Sequence, residues 1–300
     1  MANHAALRNK WLFPTFIFAV LLLAGGSYFL FTNTYKREII RASERLLKQA
    51  QLTRERLQYY EQQAKEDIAF LGEMAIFKKG PDVATRAQLR RYFSKYFSVI
   101  EQVIWRSESD LLLALYAKGP GYVDYTTKTI LPIEDLPFTD VKADTFLAVN
   151  GQKKYAFVKP VFEGRKILSC IIVVFSAEKL FDEVFDHVYL GESAYAWAYH
   201  TTDYHNVHKS AGFPFNPSND DFQQINADIQ DGFDGKGTFD TPIAQDDLKV
   251  KRMVTGYCVV TLWNQVFGFG FAIREDSILS SMKKTNWLSA IVFGAIMVAI

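Results

Sequence analysis

Two cysteines in 300 residues are too few for a disulfide framework, and both stand in apolar runs, Cys170 in LSCIIVV and Cys258 in GYCVV. Buried thiols of that kind behave as small hydrophobes, so cysteine usage does not fix a compartment. Excess charge is missing too. The 34 Lys and Arg are nearly matched by 33 Asp and Glu, and a net charge of +1 offers nothing to nucleic acid. The common catalytic signatures are also absent. There is no G-x-S-x-G, no G-x-x-x-x-G-K-[ST], no H-E-x-x-H and no pair of C-x-x-C motifs, so no catalytic residue is assigned. The glycines between Gly232 and Gly237 precede a strand pattern instead of opening a helix, and read as a turn. On these grounds no cofactor and no metal is expected.

What the chain does have is apolar length at both ends. Trp11 to Phe31 (WLFPTFIFAVLLLAGGSYFLF) carries no charge and is long enough for one transmembrane helix, longer than a signal-peptide core. Asn286 to Ile300 (NWLSAIVFGAIMVAI) is charge-free again but too short to cross, and reads as the start of a second, truncated span. Counting Lys and Arg, the cluster Lys36, Arg37, Arg41, Arg45 and Lys48 outweighs Arg8 and Lys10 and would put the large domain in the cytoplasm. Long loops, however, translocate largely regardless of charge. A domain lying on anionic lipid is the corresponding rival reading.

Between the spans the periodicity changes twice. From about Thr32 to Phe77 small and apolar residues recur at Ile40, Ser43, Leu47, Ala50, Leu57, Tyr60, Ala64, Ile68, Leu71 and Ala75, with Thr53 filling the gap. Such spacing predicts one long helix, either a dimeric stalk or the spine of its own domain. A second amphipathic helix is predicted over Val83 to Ser98. Strands follow in VIW, LLLALYA, DTFLAV, KKYAFVKPVF and KILSCIIVVF, then a helix opened by Ser176 and running to about Val188. The plan then repeats. Strands are expected over Ala194–His200, His205–Lys209, Gly237–Asp240, Leu248–Leu262 and Val266–Ile273, with a helix over Asp220–Gln230 and another over Glu275–Thr285. Trp263, Asn264 and Gln265 form the last hairpin turn. Antiparallel sheets with helices packed on them, twice over, make an α+β architecture.

With that order in view, the chain resembles the double-Cache sensor family of bacterial transmembrane receptors. The resemblance rests on the anchor running straight into the long helix and on two stretches. These are YAFVKPVFEGRKILSCIIVVFSAEKLFDEV and MVTGYCVVTLWNQVFGFGFAIREDSILSSM, which look like the closing strand–turn–strand–helix of two PAS-like modules. It implies a cytoplasmic tail at 1–10, a first span at 11–31 and a stalk or spine helix at 32–78. A membrane-distal module at 79–188, a membrane-proximal module at 189–285 and the second span from 286 follow. It further implies a multi-pass protein of the inner membrane with its large domain outside. Such a protein would be a homodimer that senses a small extracellular ligand. The signal would pass to a cytoplasmic output module or response regulator, a histidine kinase foremost, or a cyclase or chemoreceptor module. The alternative is a membrane-tethered binding or assembly module without output.

The family places its ligand in the distal module. There Trp105, Tyr116, Tyr122, Tyr125 and Tyr155 offer stacking surface, and Arg106 and Lys159 offer charge for an anionic ligand. Neighbours on one strand point to opposite faces, so Trp105 and Arg106 are not expected in one pocket. Elsewhere, His200, His205 and His208 cluster around Asp203, where His200 and His205 would face each other across a hairpin. A solvated hairpin tip is the plainer expectation for them.

Overall fold

A computed structural model describes residues 3–78, 82–107, 111–118, 121–125, 145–149, 154–188, 194–213, 215–242 and 250–280. Helix α1 (Asn3–Glu73) is unbroken. Its inward stripe of Ser43, Leu46, Ala50, Thr53, Leu57, Ala64, Ile68 and Leu71 is buried against the chain's own sheets, so this stretch is a spine. Three expected stripe positions differ, Ala75 among them, which is exposed in the short helix after α1. Ile40 lies below the sheets and stays 49% exposed, and the apolar contact falls on Leu46 more than on Leu47. Of the expected spans, 286–300 lies outside the described residues, and among those described no helix is long and apolar enough to cross a membrane.

After the short α2 (Ala75–Lys78), α3 (Val83–Lys95) opens with a capping box. Thr85 N donates to Asp82 Oδ1 at 2.7 Å and Asp82 N to Thr85 Oγ1 at 2.9 Å. It ends before the expected Ser98 because Tyr96 leaves helical geometry and its hydroxyl donates to Asp67 of α1 at 2.7 Å.

The first sheet holds β1 (Ile100–Arg106), β2 (Leu111–Lys118), β3 (Gly121–Tyr125), β4 (Thr145–Val149), β5 (Lys154–Glu163) and β6 (Lys166–Ser176). Their order is β3-β2-β1-β6-β5-β4 and every pair is antiparallel. Ser176 caps α4 (Ala177–Asp186), accepting from Lys179 N at 3.3 Å. The second sheet holds β7 (Ala194–His200), β8 (Asn206–Lys209), β9 (Gly235–Pro242), β10 (Val250–Leu262) and β11 (Gln265–Arg274), ordered β8-β7-β11-β10-β9. A 3-10 turn at Asp220–Phe222 runs into α5 (Gln223–Gln230), where one helix was expected. Residues 275–280 are helical and follow β11 as α4 follows β6.

One core joins α1 to both sheets. Its keystone is the β10–β11 turn, whose two residues take left-handed geometry, Trp263 at φ 51° and Asn264 at φ 62°, as a two-residue hairpin demands. The Trp263 ring stacks on Tyr155 of β5 with centroids 4.9 Å apart and lies 5.8 Å from Phe175 of β6. Its backbone N–H donates to Glu61 of α1 at 2.8 Å. The turn of the second sheet is thus seated against the first.

Candidate functional site

Strand pairing sorts the distal sheet into two faces. Val103 and Trp105 of β1, Leu113 and Leu115 of β2, Tyr155 and Phe157 of β5, and Ile171, Val173 and Phe175 of β6 belong to the core shared with α1. The intervening rows form the outer face. They are Gln102, Ile104 and Arg106 of β1, opposite Val174, Ile172 and Cys170 of β6, with Ala156 and Val158 of β5 next in line. The residues expected to bind ligand are therefore divided.

Trp105 is 1% exposed, donates its ring N–H to Ser169 Oγ at 3.0 Å and meets Phe77 edge-on at 5.2 Å. Tyr155 is also 1% exposed and is taken up by the Trp263 stack; burial, with Asp203 nearby, raises its phenol's pKa and keeps it neutral. Lys159 lies on the α1 side with its aliphatic stem across Gly72. These three stand on the inner face and Arg106 stands apart from them, as strand alternation anticipates. Tyr116 pairs in register with Gln102, Tyr125 with Ala114 and Tyr122 with Ala117; their side chains lie outside the described ones.

The outer face has a particular composition. Ile104, Ala114, Ala156, Val158, Cys170, Ile172 and Val174 are all at most 3% exposed, yet among the described residues none belongs to either hydrophobic core. They are small or aliphatic. Two polar side chains border them. Arg106 is half-buried, and no carboxylate among the described residues pairs with it. Its guanidinium acts on the Cys170 thiol, which burial pushes up to about 11 against the smaller downward pull of that charge. Gln102 is 6% exposed and its amide oxygen Oε1 has no hydrogen-bond partner among the described residues. Sequence reasoning missed Gln102. The available signal was its place two residues before Ile104 in IEQVIWR, the same parity as Arg106.

The corresponding face of the proximal sheet is filled. Trp197 and Tyr199 of β7, Phe213 and Phe215 of the following loop, Phe222, Ile225 and Ile229, Phe239 of β9 and Tyr257 of β10 form a second core. Trp197 stacks on Phe215 at 4.9 Å and meets Phe222 edge-on at 5.1 Å. A phenol that would face this space is used internally, since Tyr199 donates to Asn226 Oδ1 at 2.6 Å.

The histidines do not converge. His200 Nδ1 is 3.0 Å from Asp203 and Nε2 3.2 Å from Gln265, whereas His208 Nδ1 is 2.5 Å from Asp182 of α4. Among the described residues no three His, Cys, Asp or Glu side chains are grouped to hold a metal ion. Two solvent-open cavities border the proximal module. One of about 330 Å³ includes Phe185, His208 and Lys209, and one of about 600 Å³ includes Arg54, Gln230 and Thr261. Neither contains a residue expected to bind ligand.

No family model and no curated protein matches the sequence. Solved structures do match the fold. The extracellular domain of the histidine kinase designated soHK1S-Z6 aligns over 83% of this chain and 99% of its own, with TM-score 0.54 and 13% identity. The ligand-binding domain of the Campylobacter jejuni chemoreceptor Tlp3, solved with 4-methylisoleucine, aligns over 81% and 93%, with TM-score 0.52 and 10% identity. A domain of a sensory box/GGDEF family protein from Vibrio parahaemolyticus aligns over 80% and 99%, with TM-score 0.52 and 8% identity. The chain has the fold of these solved receptor domains, in keeping with the double-Cache resemblance. The first sheet with α2, α3 and α4 covers the stretch expected as the distal module, and the second sheet with α5 the stretch expected as the proximal one.

Proposed function

We propose that this chain is the ligand-sensing region of a transmembrane receptor and takes a small molecule on the outer face of its distal sheet. The observation that carries the reading is the contrast between the two outer faces. Large aromatics close the proximal face on itself, while the distal face presents small aliphatic side chains bordered by a guanidinium and an amide oxygen without a partner among the described residues. An apolar floor with a few placed polar groups is the composition of a small-molecule site. Arg106 selects for an anionic group, since a guanidinium binds a carboxylate through paired, charge-assisted hydrogen bonds. That a Tlp3 domain of this fold was solved with 4-methylisoleucine supports a ligand of that size.

In this reading residues 11–31 and 286–300 belong to two spans and residues 32–285 lie outside the inner membrane. The ligand biases two conformations of the distal module. The Trp263 turn and α1 pass the difference to the proximal module and so to a cytoplasmic output, a histidine kinase foremost. Leu52, Tyr59 and Phe70, at 45%, 63% and 67% exposure, lie on the side of α1 away from the sheets and support a homodimer there.

The test uses the 300-residue chain in detergent or nanodiscs. Thermal unfolding is followed against a panel of small carboxylates, and calorimetry is run on those that raise Tm. Arg106→Ala is expected to weaken binding about 10- to 100-fold, the range for a hydrogen bond to a charged group. A ligand whose affinity ignores Arg106 would place the site elsewhere. External protease added to spheroplasts should cleave the 32–285 region, and protection would exclude the extracytoplasmic topology.

A further inference from the structure

Just above the uncharged stretch that ends at Tyr35, α1 carries Lys36, Arg37, Arg41, Arg45 and Lys48 against only Glu38 and Glu44. Positions 37, 41, 45 and 48 recur every three or four residues and so share one side of the helix. All four are exposed, while Ser43, Leu46 and Ala50 on the opposite side are buried. The two carboxylates do not cover this stripe. Glu44 is drawn to Lys236 of β9 at 3.0 Å, and Glu38 takes Arg41 at 2.6 Å in an exposed pair of little worth. Among the described residues no carboxylate pairs with Arg37, Arg45 or Lys48. The basic residues at the ends of β10 and β11 differ. Lys251 has Asp276 at 3.3 Å, Arg252 has Glu275 at 3.6 Å and Arg274 has Asp276 at 2.9 Å. A homodimer seated on Leu52, Tyr59 and Phe70 leaves the stripe unanswered. Continued along this side of α1, a parallel two-fold pair would set Arg41, Arg45 and Lys48 against their own counterparts, like charge against like.

We propose that this stripe is a lipid-binding surface that takes the anionic headgroups of the bilayer crossed by residues 11–31. The proposal rests on the reading of those residues as a span and holds for either side of the membrane. Tyr28 and Tyr35, with Phe31 stacked on Tyr35 at 6.5 Å, are the amphipathic rings expected at headgroup level. At about 1.5 Å of rise per residue, Arg37 stands about 3 Å above Tyr35, Arg41 about 9 Å, Arg45 about 15 Å and Lys48 about 20 Å. Helical side chains lean toward the N-terminus, which here is the bilayer side, so the guanidiniums of Arg37 and Arg41 reach down to the lipid phosphates. There the planar fork of each makes paired, charge-assisted hydrogen bonds with phosphate oxygens. With a Debye length of about 8 Å at physiological salt, the attraction fades from Arg45 to Lys48. Anionic lipid thus accounts for a basic cluster that the charge rule alone would place in the cytoplasm.

The test uses the 300-residue chain in nanodiscs holding equal amounts of phosphatidylcholine and phosphatidylglycerol. The complex is passed into mild detergent, and the lipids it retains are counted by native mass spectrometry. The wild type is expected to keep phosphatidylglycerol over phosphatidylcholine by about fivefold or more, the effect of even one basic residue at an anionic surface. Arg37→Gln combined with Arg41→Gln should bring that ratio near unity, whereas Arg45→Gln combined with Lys48→Gln should leave most of it. All four positions are exposed, so both double variants should melt as the wild type does in phosphatidylcholine alone. Equal retention of the two lipids by the wild type overturns the proposal, as does a preference that survives the loss of Arg37 and Arg41. If neutralising the stripe leaves the lipid ratio unchanged and raises the share of dimer in the spectrum, a second copy covers this side and the proposal falls. A wild-type chain that stays in solution with neither detergent nor nanodisc overturns the span reading itself. A chain held in the disc without lipid preference overturns only the lipid surface.

Discussion

The two sheets follow the same strand plan, each ending in a long hairpin and a helix, but they spend their outer faces differently. In the proximal module Trp197, Tyr199, Phe213, Phe215 and Phe222 interlock, and the sheet is closed by its own side chains. In the distal module the matching rows hold Ala114, Ala156, Val158 and Cys170. Aromatics bury the most surface per residue and lock one packing. Duplicated architecture can thus carry two differently composed outer faces, one aromatic and one small and aliphatic.

The largest expected effect tests the closed half. Trp197→Ala removes a fully buried indole from the aromatic cluster and should cost about 3–5 kcal/mol of stability, measured by urea unfolding. A loss under about 1 kcal/mol would mean the proximal face is not packed as described.

The second pair compares how α1 meets each module. At Gly256 of β10 an added Cβ would come within 2.1 Å of the Leu47 backbone N, whereas at Gly72 it would meet the Lys159 Cγ at 2.6 Å. A lysine stem can swing away, and a helix backbone cannot. Gly256→Ala should therefore destabilise by about 1–3 kcal/mol or more, as overpacking does, and Gly72→Ala by much less. Equal costs in thermal unfolding would erase that asymmetry.

The third pair fills space. Ala272→Phe pushes into the proximal aromatic core and should also cost about 1–3 kcal/mol. Ala156→Phe on the distal outer face, where Ala156 is fully buried, should cost a similar amount, about 1–3 kcal/mol, and, if the ligand lies on this face, should also abolish binding in calorimetry. An Ala156→Phe chain that still binds would place the ligand off this face.

The smallest effect concerns the exit from the proximal sheet. The Arg274 guanidinium, hydrogen-bonded to Asp276 at 2.9 Å and helped by Lys251 at 3.3 Å, holds the Asp276 carboxyl below its usual range despite partial burial. A lowered folded-state pKa gives a contribution fully present above the unfolded value of about 3.9 and lost as pH falls through the lower folded value. With these side chains over a third exposed, the whole contribution should stay within about 1 kcal/mol. Asp276→Asn should thus lower stability slightly at pH 6 and not at pH 2. The distal helix α4 has only its Ser176 cap at the matching junction, so no such acid sensitivity is expected there.

Much of this was legible in the residues. Period-two and period-3.6 patterns gave the repeated antiparallel plan. Trp263, Asn264 and Gln265 were placed in a turn because strands of opposite direction must be joined there, and only Gln265 moves, into the start of β11. The start of α4 followed from Ser176. Register was not legible, and register decides which side of a sheet a residue serves. Trp105, Tyr155 and Lys159 looked like site residues because aromatic and basic side chains suit both a core and a pocket; only the position of α1 sends them inward. Gln102 escaped notice for the opposite reason, being a polar residue in an apolar strand whose burial is a fact of three dimensions. The helical stripe was read nearly in full, but whether it met its own domain or a second chain depended on where the sheets lay.

Helix α1 has a mechanical consequence. It is seated on the β10 backbone at Gly256, tied to Asp234 through Arg54 and to the Trp263 turn through Glu61, and reaches the α3 region at Asp67. The helix-on-backbone contact leaves no room for sliding, so it behaves as a fulcrum. About 20 residues of lever arm, roughly 30 Å, rise above it to Asp67, and about 44 residues, roughly 66 Å, continue below to Asn3. A tilt of about one degree around Leu47 would shift Asp67 by about half an ångström and the lower end by about 1 Å in the opposite direction. A rearrangement in the distal module too small to alter any single contact would then emerge at the lower end of the rod reversed in sense and about doubled in size.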